Sequence, residues 1–206
     1  MKRILCIWLP NWPVQRQLAV RPELKRQVVL LTAVDSRRGL IVDCCCNTAV
    51  EAGVVPGLPL VEATALAEAA ARSDFQSSDG GGKPVCSLPS DPWGDREQLV
   101  ALAQACEPFA SLVGVESRNP PSSLLLDVTR TAPRLGGERQ VMVQVRQLFR
   151  ERGYTIRMAL ANTIGTAWAV SHYGPLLDDG SLSDDGLLSD DGLLSDDGLL
   201  SDDGLL

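Results

Sequence analysis

The run from Arg3 to Trp8 (RILCIW) is apolar, of strand length, and cut off by Pro10, Asn11 and Pro13, and no other stretch limits the fold as much. Hydrophobicity over so few residues, closed by turn formers, predicts a buried strand that hands over to a loop and then to a helix. The tip of such a strand is where a metal-dependent enzyme would present an aspartate to Mg²⁺, an ion that takes hard oxygen ligands. Here the tip reads Trp8-Leu9-Pro10-Asn11-Trp12 and holds no acid. Any function has to accommodate that absence.

Trp12, Gln15, Arg16 and Ala19 recur at helical spacing over Trp12 to Val20, and Pro22 closes the helix. VVLLT (28–32) and LIVD (40–43) are β-rich runs on either side of the polar turn Asp35 to Gly39, which predicts a hairpin or neighbouring strands. Asn47 to Ala52 reads as a short helix stopped by Gly53, and VVPGLP (54–59) as a turn into an alanine-rich helix over Leu60 to Ala71. Ser73 to Pro92, which contains SSDGGGKP, has no periodicity and predicts a flexible connector. Its glycine run lacks the Lys-Ser/Thr ending and strand-to-helix setting of a phosphate loop. Asp95 and Gln98 then have the spacing of a capping box, for a helix whose buried stripe is Leu99, Leu102, Ala103 and Cys106 and which ends at Pro108. Strands over Leu112 to Glu116 and Leu124 to Val128 flank the loop SRNPPSS. Gly136-Gly137 opens a helix with Val141, Val145, Leu148 and Phe149 on one face, ended by Gly153. Thr155 to Leu160 is a last strand, and Asn162 is placed to cap a helix that runs to about Tyr173.

At 206 residues and 45% hydrophobic, the chain can hold one ordinary domain or two small ones. Its formal charge of −7 is a poor guide to the folded part. From Pro175 the sequence becomes a DDGLLS-type hexapeptide repeat, and these 32 residues hold ten of the 26 acids and none of the 19 Lys and Arg. Residues 1–174 are therefore net positive by about three, which is compatible with nucleic acid without demanding it. Asp-Gly repeats that bind calcium have a period of about nine and a different register, so a disordered acidic tail is expected. So abrupt a repeat also fits an expanded or altered reading frame. No signal peptide and no apolar stretch of membrane-spanning length is seen, so a cytoplasmic chain with six free thiols and no membrane contact is expected. Cys44, Cys45 and Cys46 are consecutive, so on a strand they would alternate faces rather than converge on a metal ion.

Without the tail the order is strand, helix, small αβ insertion, helix, two strands, helix, strand, helix. That order resembles the palm and fingers of the Y-family (UmuC/DinB-like) translesion DNA polymerases. ILCIWLPNWPVQ resembles the family's strand that ends in an acid before an aromatic helix start, and ELKRQVVLLT its second strand behind a basic patch. GVVPGLPLVEATAL is the most specific match, similar to the finger-helix pattern GVxxGMPxxEAxxL. LLLDVT resembles the palm strand ending LDVT, and MALANTIGTAWAVSHYG the later strand and helix that in active members read GISxNKxLAKxAS. The resemblance covers residues 2–174. It implies an α+β fold: a ferredoxin-like polymerase palm in two parts (1–21 and 91–174), a small αβ fingers insertion with a linker (22–90), and a disordered repeat tail (175–206).

The departures from the family are as specific as the matches. Trp8 takes the place of the first metal-binding Asp, and the adjacent Asp-Glu pair is lost within Glu116 to Ser123, which leaves Glu116 alone. Asn47 and Val50 stand where the family sets a Tyr and an Arg against the incoming triphosphate, and Gly174 or Pro175 falls near a family Lys. Two-metal phosphoryl transfer needs converging carboxylates and cations for the leaving group, and both sets are missing. The pattern resembles the ImuB type of Y-family relative, a polymerase-like subunit that partners an error-prone replicative-type DNA polymerase subunit and a RecA-like subunit in damage-induced mutagenesis. The resemblance implies a non-catalytic adaptor in DNA repair and translesion synthesis, with no cofactor and no metal. Weak DNA binding is expected, with Arg16, Arg21, Lys25, Arg26, Arg37 and Arg38 as candidate contacts. Two alternatives stay open: a divergent active polymerase that recruits Mg²⁺ through Glu116 and Asp127, or a truncated inert fragment. Asp127 also reads as a structural residue, Glu116 as a solvated strand end, and His172 as a packing or surface residue. Trp12 and Trp168 read as core, or as filling for the vacated nucleotide site.

Overall fold

A computed structural model describes residues 2–73 and 83–174. The repeat tail and the glycine run of the connector lie outside the described residues. The first strand, β1 (Ile4–Trp8), is central in a four-stranded antiparallel sheet with β5 (Leu112–Val115), β6 (Ser123–Asp127) and β7 (Arg157–Ala161) in the order β5-β6-β1-β7. With helices α4 (Pro92–Ala105) and α5 (Glu138–Glu151) as crossovers, this is the βαββαβ order of a ferredoxin-like fold. Alternation along β1 explains why the whole run is apolar. Leu5 and Ile7 point into the main core with Leu99, Leu102, Val141, Val145 and Phe149 of α4 and α5. Ile4 and Cys6 point the other way, onto Ala167 of α6 (Ile164–Tyr173). Arg3 fixes the start of β1 through a two-pronged pair with Glu138 at 2.7 and 2.8 Å and a 2.7 Å bond to Asn162.

A second sheet, in the order β3-β2-β4, is made of the hairpin β2 (Val28–Asp35) and β3 (Gly39–Cys45) with β4 (Val85–Pro89) parallel to β2. Val28 and Leu30 face α2 (Asn47–Glu51) and α3 (Leu60–Ser73), and Val29 and Leu31 face α1 (Trp12–Val20). The central strand β2 is therefore covered on both sides, and VVLLT is buried throughout. Cys45 joins the first of these cores and Cys44 the second, as expected of consecutive strand residues. α1 serves both sheets, since Trp12 is buried in the main core while Val14 lies in the β2–β4 core.

Three expectations fail here. The stretch Ser73 to Pro92 is not connector throughout, because β4 occupies its second half. Its five residues VCSLP show no alternation, and pairing with the buried strand β2 supplies the order that local pattern does not. Asp95 is not a helix cap: Asp91 is the N-cap of α4 and accepts from the Gly94 N–H at 3.0 Å, while Asp95 sits a turn inside and is buried. The cap of α6 is Thr163 rather than Asn162, its hydroxyl accepting from the Thr166 N–H at 3.2 Å.

Three surface carboxylates are held below the ordinary range by hydrogen bonds to their charged forms. Asp35 accepts from the N–H groups of Arg37 and Arg38, Asp91 from that of Gly94, and Asp127 from the hydroxyl and then the N–H of Thr129. A lowered folded pKa contributes stability that is present above the unfolded carboxylate pKa and lost as pH falls through the folded values. The thermal midpoint is expected to drop below about pH 4. The triple variant with Asn at 35, 91 and 127 should show a shallower acid limb, and an unchanged limb would rule these groups out.

Candidate functional site

At its carboxyl end β1 places Trp8 directly opposite Ser123 on β6 and Arg157 on β7. The indole stacks on the His172 imidazole, with centroids 4.5 Å apart at 24°, and His172 stacks in turn on Trp168 at 4.1 Å and 28°. The Arg157 guanidinium lies 5.5 Å from the Trp8 ring centroid, and it donates to the Gly174 carbonyl at the end of α6. Three stacked rings and a cation thus cover the end of the strand, built from a residue eight positions into the chain, the cross-strand Arg157 and the second and third turns of the last helix. This geometry is worth about 0.5–1.5 kcal/mol per aromatic pair beyond the area it buries.

His172 is held by hydrogen bonds as well as by rings. Its Nδ1 lies 2.8 Å from the Trp168 carbonyl and 3.1 Å from the Ser171 hydroxyl, and its Nε2 lies 3.4 Å from the Ser123 hydroxyl. Ser123 and Ser171 are buried. Ser171 also donates to Cys6 Sγ at 3.2 Å, and burial pushes the Cys6 thiol up to about 11. The lone histidine is therefore a packing residue between two indoles, as one of the two readings of the sequence had it.

Glu116 is buried at 7% exposure, not a solvated strand end. Its Oε1 accepts from the Ser122 N–H at 2.6 Å and the Ser122 hydroxyl at 3.2 Å, and its Oε2 accepts from the Trp168 indole N–H at 3.1 Å. Neutral donors occupy both oxygens, and they come from the loop and the helix that enclose the carboxylate. Asp127 is at the other end of β6, opposite Ile4, whereas the Glu116 N–H pairs with Ser123. Four residues of strand separate the two levels, about 13 Å. An enzyme that used Glu116 and Asp127 together on Mg²⁺ would need them within about 4 Å of a shared ion pair, and the register forbids it. Asp127 instead accepts from the Thr129 N–H at 3.1 Å, which closes a local turn.

The other sequence candidates are scattered. Asn47, at the start of α2, accepts from the Asn11 side chain at 2.7 Å and bridges the two sheets, with Asn11 itself in the left-handed region at φ 50. Val50 is exposed on α2. Among the proposed DNA contacts, Arg21, Lys25 and Arg26 are exposed around the link from α1 to β2, and Arg37 and Arg38 are exposed at the hairpin tip. Arg16 does not join them. Its guanidinium is partly buried against α4, 2.5 Å from the buried Asp95 and 3.0 Å from the exposed Asp91, so it is committed to the fold. Trp12 is core, with its N–H donated to the Asp95 carbonyl at 3.0 Å, and Trp168 is part of the stack at the tip of β1. Sequence reasoning missed Ser122, Ser123 and Arg157; only the cross-strand register of Trp8 brings them to the site. Among the described residues no group of three or more His, Cys, Asp or Glu side chains is arranged to hold a metal ion, and no helix is long and apolar enough to cross a membrane.

No family model matches the chain. Protein ImuB of Caulobacter vibrioides is 35% identical over 85 residues, which is 41% of this chain and 18% of that protein, so the match spans less than a fifth of the relative's length. Among solved structures, DinB from Sulfolobus solfataricus aligns with a TM-score of 0.62 at 15% identity, over 82% of this chain and 45% of the other. A Y-family DNA polymerase chimera built on Dbh aligns with a TM-score of 0.58 at 16% identity, again over 82% and 45%. At these identities the structures establish the fold, and the expected α+β palm with its fingers insertion is the fold observed. The chain is related in sequence to ImuB, and its described residues have the palm-and-fingers fold of the N-terminal part of Y-family DNA polymerases.

Proposed function

We propose that this chain is a polymerase-fold protein of the DNA-damage response that does not add nucleotides and works by docking. Residues 1–21 and 91–174 form its palm and 22–90 its fingers and linker. The observation that carries this is the tip of β1, where the Trp8–His172–Trp168 stack fills the place a catalytic carboxylate would need. Ser123 is the cross-strand neighbour of Trp8 and Ser122 precedes it, so these hydroxyls stand in the place of the lost Asp-Glu pair. Glu116, the acid that remains nearby, is already saturated by three hydrogen bonds. Two-metal catalysis depends on several carboxylates neutralising ions about 4 Å apart, and a single engaged acid cannot supply them.

With catalysis set aside, a backbone kept in the polymerase form serves recognition. Likeness to ImuB supports an error-prone replicative-type polymerase subunit and a RecA-like subunit as partners, with primed DNA as a weak ligand. Primer extension by the purified chain, with Mg²⁺ or Mn²⁺ and with each partner added in turn, tests both halves. No template-dependent incorporation by the chain alone is expected, and co-elution with at least one partner is expected. Incorporation that Glu116→Ala abolishes would overturn the first half, and failure to co-elute with either partner the second.

A further inference from the structure

The outward face of α5 carries Arg139, Val143, Arg146 and Arg150, all exposed and all within one narrow stripe of the helix, opposite the core residues Val141, Val145 and Phe149. The stretch from Arg130 to Arg152 holds six arginines against two acids. Both acids are engaged, Glu138 with Arg3 and Glu151 with Gln147 at 2.8 Å. Arg146 and Arg150 make no ion pair among the described residues. This is an arginine face with an apolar centre, and at Arg146 and Arg150 it suits an acidic partner that also offers an apolar group.

We propose that the acidic repeat of residues 178–206 docks in cis on this face, its Asp pairs on the arginines and its Leu pairs over Val143. Charge supports the match, since the repeat has ten Asp and no basic residue. Spacing supports it too. Arg146 and Arg150 are four helical residues apart, about 6 Å, within reach of the two carboxylates of one Asp pair. The Leu pair begins two residues after that pair, up to about 7 Å on when extended, and Val143 is three helical residues from Arg146, about 4.5 Å, so one repeat can cover both the charges and the apolar centre. Reach is sufficient: from Gly174 on the α6 side of the sheet to α5 is roughly 30 Å, about ten extended residues, which leaves three Asp pairs to bind. Tethering raises the local concentration to the order of millimolar, so weak contacts are enough. The hairpin tip also sets Arg37 and Arg38 beside exposed Val34 and Leu40, but the Asp35 carboxylate among them repels an acidic segment.

Small-angle scattering of the full chain at low and high salt tests the proposal. The radius of gyration is expected to rise by roughly a tenth as salt releases the repeat. R146E/R150E should be expanded already at low salt and lose the salt response, with its circular dichroism unchanged. A second variant, with the ten tail aspartates replaced by Asn, should behave the same way. A salt-independent wild type would overturn the proposal. So would loss of the response in R37E/R38E but not in R146E/R150E, which would move the contact to the hairpin. A concentration-dependent rise in mass that R146E/R150E abolishes would make the contact one between copies and overturn docking in cis.

Discussion

Arg16→Met is expected to lower the unfolding free energy by about 3–5 kcal/mol, the cost of leaving a buried charge without its partner. Arg16 projects from α1 between Asp95 and Asp91 of α4, with only 14% of its side chain exposed and 11% of that of Asp95. Burial pushes the Asp95 carboxyl above the ordinary range, and Arg16 works against that shift. A raised folded pKa contributes stability below the unfolded value that is lost as pH rises through the folded one. In the variant the opposing arginine is gone, so the penalty should be larger at pH 7 than at pH 4. Asp91 is half exposed and adds little. The double variant R16M/D95L removes both charges and should recover most of the loss, because an apolar pair of similar volume tends to replace a buried ion pair at no net cost. Urea denaturation of the three chains decides. A loss below about 1 kcal/mol for Arg16→Met would mean that the pair is not what holds α1 to α4.

Trp168→Ala should cost about 3–4 kcal/mol, near the lower end for loss of a large ring because the indole is only partly enclosed. It removes one side of the His172 sandwich and the donor to Glu116 together. Trp168→Phe separates the two effects. The ring survives while Glu116 Oε2 loses its N–H, for an expected cost of about 1–3 kcal/mol. If E116Q added to Trp168→Phe brings no recovery, the carboxylate is not what the indole satisfies. These variants are read by thermal and denaturant unfolding.

What could be read in advance followed the range of the forces involved. Helices α4 and α5 were legible because their buried stripes, Leu99–Leu102–Cys106 and Val141–Val145–Phe149, are local patterns set by the helical repeat. β1 and β2 were legible because strands covered on both faces read as unbroken apolar runs. β4 was not, because its order comes from a partner more than fifty residues earlier in the chain. Asp95 looked like a cap because its spacing to Gln98 is right, and nothing local shows Arg16 reaching it from another helix. At the site, the absence of an acid at position 8 was visible, but what stands in its place was not. The stack joins residues 8, 168 and 172, and only the β1 register brings Ser123 and Arg157 beside them.

The position of α1 has a mechanical consequence. A single nine-residue helix is the party wall of two cores, with Trp12 lodged on one side and Val14 on the other. Rotation of the smaller sheet against the larger cannot occur by sliding at that wall without uncovering one of those residues to water. Such movement is channelled into the joints where the chain enters and leaves, around Arg21 to Gln27 and around Ser90. Any tilt of the fingers would therefore have to be taken up at those two joints, with α1 held to the larger core by Trp12.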